Sequence, residues 1–78
     1  MMMNQHDAAI AEYTLTKEIE ELSAESQLRY WAMTDRIQEI MPLMPDEHKS
    51  RLRATYRNRL SLLRMIDAAS KEGQEKAR

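Results

Sequence analysis

The stretch IMPLMPDE, residues 40–47, decides how this chain folds. Pro42 and Pro45 each remove a backbone donor, and each disfavours helix at the residue before it. Elsewhere the sequence is built from helix formers, with Ala, Leu, Glu, Arg, Gln and Met dominant. One glycine, no phenylalanine and seven methionines in 78 residues argue against sheet. Strands want β-branched and aromatic residues, and hairpins want glycine turns.

Working outward from the break, the pattern predicts two long helices. Helix 1 runs from about Asp7, a plausible N-cap, to Ile40 or Met41; Thr16 is a rival start, because Glu18, Glu20 and Glu21 would then occupy a first turn. Helix 2 starts near Pro45, with Asp46 and Glu47 suited to the dipole there, and runs to about residue 72. Gly73 is the expected stop, followed by a frayed tail over residues 73–78. At about 1.5 Å per residue the helices are roughly 50 and 40 Å long. A turn over residues 42–45 then folds them antiparallel, giving an all-α helical hairpin as one domain.

Helix 1 carries an apolar seam at Leu15, Ile19, Leu22, Ser26, Tyr30, Met33, Ile37, Ile40 and Met44, a heptad run with a stutter around Ser26. Helix 2 answers with Leu52, Tyr56, Arg59, Leu63, Ile66, Ser70 and Gly73. Folding about the prolines pairs Ile37 with Leu52 and Met33 with Tyr56. A second apolar set lies well away from the first: Ile10, Tyr13, Ala24, Leu28 and Trp31 on helix 1, and Leu62, Met65 and Ala69 on helix 2. A lone two-helix hairpin buries one stripe per helix, so the second stripe would stay wet. Each large apolar side chain left in water forgoes about 1.5–3 kcal/mol. A second copy is the simplest cover, and a homodimer forming a four-helix bundle is expected. Ala24, Leu28, Trp31, Leu62 and Met65 then form a dimer or partner interface.

Charge is divided along the chain. Residues 1–48 hold 3 basic and 10 acidic side chains, and residues 49–78 hold 9 and 3, within a net charge of −1. Lys49, Arg53, Arg57, Arg64 and Lys71 fall on one basic edge of helix 2. The ordinary expectation for such an edge is a solvated face, partly paired with acids of the first half. Arg59 stands on the core seam where a leucine is expected, and Ser26 is a second polar group on that seam. The arginine head either reaches the rim on a packed stem or fixes register through Glu25 or Tyr30.

Several functions lose their footing. No cysteine is present, so disulfides and thiolate metal sites are excluded. His6 and His48 lie far apart in sequence, and neither belongs to a paired metal motif. One glycine cannot build a phosphate-cradling loop. No catalytic, cofactor-binding or metal site is expected, and the chain does not read as an enzyme. No apolar run reaches signal-peptide or membrane-spanning length, so a cytoplasmic protein that engages no membrane is expected.

The remaining expectation is a protein-binding module. It would act as a homodimeric regulator, an inhibitor of the kind phages or mobile elements encode, or an assembly chaperone. Trp31 is expected as a core or dimer-interface residue, with a partner hot spot as the sharper alternative. An RNA- or DNA-binding bundle using the basic edge is the alternative, by an analogy of shape with Rop, a dimer of helical hairpins that binds RNA, with no motif shared. Nucleic-acid binders are usually basic overall, whereas this chain has a pI near 6.1. A structural subunit of a larger helical assembly is the third possibility.

Overall fold

A computed structural model describes residues 2–76, with side chains described over residues 2–69. The described chain is all helical: α1 spans Gln5–Glu21, α2 Glu25–Met33, α3 Asp35–Ile40 and α4 Asp46–Lys76, with a 3₁₀ turn at Met41–Leu43. The proline turn stands where the sequence puts it. Helix 1 of the sequence reading does not survive as one rod; it breaks twice.

The first break is at Leu22–Ala24. Leu22 and Ala24 both take extended backbone angles, with ψ of 131° and 147°. The second is at Thr34, also extended, with ψ of 149°. It bends the returning limb, so that α2 and α3 form one kinked strand of the bundle. The freed polar groups find local partners. The Leu22 N–H donates to the Ile19 carbonyl, and the Ser23 N–H to Gln27 Oε1. The Thr34 hydroxyl donates to the Trp31 carbonyl at 2.8 Å. The N-terminal cap is Asn4 rather than Asp7: Asn4 Oδ1 accepts the Asp7 N–H at 2.8 Å, leaving Asp7 as the acid in the first turn.

The first break turns α1 back on the bundle, parallel to α4. The Met3 N–H donates to the Leu43 carbonyl at 2.7 Å, Glu12 reaches Arg51, and Leu22 reaches Arg59. Then α2 starts beside Arg64 and descends past Tyr56, antiparallel to α4. The result is a three-limbed bundle, 56 × 20 × 16 Å, with α1 up, α2–α3 down and α4 up. Its core is Leu15, Ile19, Leu28, Ile37, Met44, Leu52 and Leu63.

This arrangement covers part of the second stripe from inside the chain and leaves Leu62 and Met65 exposed. In a straight helix 1, Leu28 would face water, while Leu15 and Ile19 would reach only the far end of helix 2. Folding back covers Leu28 and sets Leu15 and Ile19 against α4, and all three are buried. The break forgoes a few helical hydrogen bonds at about 1 kcal/mol each net, and those are partly replaced. Each covered side chain returns about 1.5–3 kcal/mol, so the fold-back wins.

The break also rephases α2, and the expected seam inverts there. Tyr30 and Met33, assigned to the core, are 74% and 75% exposed, and Ser26 is exposed with them. Leu28, assigned to an outer interface, is buried inside the chain. Helix α4 continues through Gly73, which takes no left-handed angle, so the expected stop is not found. Of the expected tail, residues 77–78 lie outside the described residues.

Candidate functional site

Trp31 is the centre of the most developed surface feature. It is half-buried on α2, facing α4, and its ring stacks on Tyr56 with centroids 6.4 Å apart and planes 23° apart. Its indole Nε1–H donates to Glu18 Oε1 at 2.9 Å. Glu18 in turn accepts two hydrogen bonds from Arg36, from Nη1 and Nη2, at 2.6 Å each. The Arg36 guanidinium therefore holds the Glu18 carboxyl below the usual carboxylate range, against partial burial, with the indole N–H adding to the pull. One carboxylate from α1 thus fixes a tryptophan on α2 and an arginine on α3. The fold-back of α1 is what delivers it.

Beside the ring pair lies an open groove of about 270 Å³ between α2–α3 and α4. Trp31, Ile37, Met41, Leu52 and Tyr56 supply its apolar lining, and Gln38 and Arg53 stand among them. Gln38 is held by its amide Nε2, which donates to the Ala32 carbonyl at 2.8 Å.

The basic edge divides. Arg64 pairs with Glu25, and Lys49 lies 3.9 Å from Asp46 on its own helix. Arg53 and Arg57 are exposed and reach no described carboxylate. The Lys71 side chain lies outside the described residues. The expected neutralisation between the halves is carried by Arg64 and by Arg51, which bonds Glu12 at 2.9 Å from off the edge. So the structure brings Trp31 and Arg53 to one groove, with Arg57 one turn farther along α4.

Arg59 neither reaches Glu25 nor stacks on Tyr30. Its Nε and Nη2 donate to the Leu22 carbonyl at 3.2 and 2.8 Å. It caps the end of α1 and so stabilises the break that the fold requires.

Two features were not legible as a site in the sequence. One is Glu18, which the sequence marks only as one of the acids of the first half and of the first turn of the rival start at Thr16. The other is His48, 5% exposed, with Nδ1 2.8 Å from Glu12 Oε1 and Nε2 2.9 Å from Gln5 Oε1. Arg51 donates to both oxygens of Glu12. Hydrogen bonding from Arg51, with a smaller contribution from His48, keeps the Glu12 carboxyl below its ordinary range despite partial burial. This cluster latches the start of α1 to the start of α4. It holds no set of three or more ligand-type residues arranged for a metal among the described residues.

Of the expected interface residues, Ala24 is half-buried, and it lines an open cleft of about 420 Å³ with Leu63 and Ile66. Leu62 and Met65 are 45% and 67% exposed, with Ile66 at 56%. On a wheel of about 100° per residue, Leu62 and Ile66 share the side of α4 on which His48 meets α1. The stripe that α1 covers below therefore runs on uncovered past the end of α1. No helix among the described residues is long and apolar enough to cross a membrane. Comparison with protein-family models, with curated proteins and with solved structures returns no match to this chain.

Proposed function

We propose that this chain is a small non-enzymatic protein-binding module, acting as a regulator, inhibitor or assembly chaperone by occluding or stabilising a partner. One observation carries the reading. The chain's single tryptophan is held in place by Glu18 and Tyr56 at the edge of an open apolar groove that has a guanidinium on its rim. A fixed aromatic beside a pocket and an arginine is the composition of an interface anchor. The test is a photo-crosslinking residue in place of Ala32, which lines the groove, compared with one at Tyr13 on the outer face of α1. A discrete adduct formed in the source cell from position 32 and absent from position 13 supports the reading. Equal labelling from both positions contradicts it.

Self-association is a second part of the proposal, supported by the uncovered Leu62, Met65 and Ile66 on α4. Light scattering of the intact chain tests it. A mass of two chains that falls to one in a Leu62→Glu, Met65→Glu variant of unchanged helicity supports it; a single-chain mass at all micromolar concentrations removes it. The nucleic-acid alternative draws less support, because Arg29, Arg36, Arg51, Arg59 and Arg64 are all engaged within the chain.

A further inference from the structure

The groove specifies the chemistry of its occupant, an inference that rests on the protein-binding reading above. Its size is the first constraint. Ligand pockets for whole small molecules enclose about 300–1,000 Å³. This one holds about 270 Å³ and is open on one side, a fit for one large side chain. Its walls are Trp31, Ile37, Leu52 and Tyr56, so that side chain is apolar.

Charge is the second constraint. Arg53 stands on the rim, and Arg57 follows one turn later, about 6 Å along α4. Like charges at this spacing repel by a few tenths of a kcal/mol on a helix surface. The chain has more carboxylates than basic groups, 13 against 12, and sets some of them on four other arginines, Arg29, Arg36, Arg51 and Arg64. None of the described carboxylates reaches this pair. Two adjacent guanidiniums without a partner beside an apolar pocket are complementary to carboxylates flanking an apolar side chain.

We infer that the partner offers an acidic amphipathic segment: one large apolar residue enters the groove beside Trp31, and its neighbouring carboxylates lie on Arg53 and Arg57. Protein is favoured over nucleic acid because two open guanidiniums make few phosphate contacts, while the depth of the site is apolar. Tyr56 already occupies one face of the Trp31 ring, which limits base stacking there.

A random twelve-residue displayed peptide library, selected on the intact protein, tests this. Peptides are then titrated while Trp31, the only tryptophan, reports by its emission. The expected consensus is net acidic with one Leu, Ile, Met or Phe. Binding should shift the Trp31 emission, and an Arg53→Glu, Arg57→Glu variant should weaken it roughly tenfold or more. Both arginines are exposed, so the variant should keep its helicity by circular dichroism. A consensus without acids, or one indifferent to the charge reversal, overturns the inference; if its peptides still shift Trp31, the protein-binding reading stands alone. A twelve-nucleotide single strand that shifts Trp31 and displaces the peptides at physiological salt overturns it in favour of nucleic acid. If no peptide moves Trp31, the inference falls, and the crosslink from position 32 decides the protein-binding reading separately.

Discussion

Arg59 donates two hydrogen bonds to the carbonyl oxygen of Leu22, the residue on which α1 ends. A cation at a helix C-terminus meets the negative end of the dipole and satisfies an otherwise open acceptor. Replacing Arg59 with Leu should therefore destabilise the fold, by about 1–2 kcal/mol given the partial exposure of the site. Were the arginine merely tolerated on an apolar seam, the same change would stabilise. Urea denaturation separates the two by the sign of the shift in midpoint.

Leu28 and Leu62 belong to one stripe by sequence and to opposite environments in the structure. Leu28 is fully buried, and Leu28→Ala should cost about 2–5 kcal/mol. Leu62 is 45% exposed, and Leu62→Ala should change the stability of a single chain by less than about 1 kcal/mol. Equal costs in denaturant would mean that both faces are covered alike, as in the four-helix dimer expected from sequence.

Glu18 fixes Trp31 in place. Glu18→Ala removes the acceptor of the indole N–H and the partner of Arg36. Trp31 emission should shift to longer wavelength, and acrylamide should quench it more readily. Arg36→Ala, which leaves Glu18 to the indole, should have the smaller optical effect. The reverse order would place the constraint on Trp31 elsewhere, in the Tyr56 stack alone.

Acid should loosen the attachment of α1. Glu12 and Glu18 both titrate below their ordinary value, held there chiefly by hydrogen bonds from Arg51 and Arg36. A carboxylate depressed in the folded state adds stability that is full above the unfolded value, near 4.3, and is lost as pH falls through the lower folded value. The denaturation midpoint should accordingly fall between about pH 5 and pH 3. A Glu12→Gln, Glu18→Gln variant should lose part of that pH dependence and be less stable at neutral pH. An unchanged slope would show that the other acids account for it.

The sequence was readable where its signals were local and strong. Pro42 and Pro45 mark the turn, Asp46 and Glu47 open α4, and Ile37 and Leu52 meet at one groove as the register predicts. The break at Leu22–Ala24 carries no proline or glycine and was not readable as a break. Its trace was indirect: the stutter around Ser26 and an apolar stripe too wide for one partner. That stripe predicts a second chain; the fold-back of α1 covers its Leu28 from within the chain and leaves its Leu62 and Met65 exposed. Once α1 turns back, the inversion of Tyr30 and Leu28 follows. Trp31 and Arg53 belong to separate sequence features, an apolar stripe and a basic edge; their meeting at one groove depends on the tertiary fold. Glu18 and His48 gain their partners from segments 13 to 43 residues away, which no local pattern reports.

The return of α1 beside α4 underlies both the core and the site, and a distance within one chain tests it. The chain has no cysteine, so Ala9→Cys with Ser50→Cys accepts one spin label at each of two exposed positions. The doubly labelled chain is diluted into unlabelled chain, so that electron–electron resonance reads intrachain distances only. Parallel packing of α1 on α4 predicts roughly 15–25 Å between labels, given helix axes about 8–10 Å apart. A helix 1 unbroken from Asp7 to Ile40 would place them about 45 Å apart, and that longer distance would contradict the account.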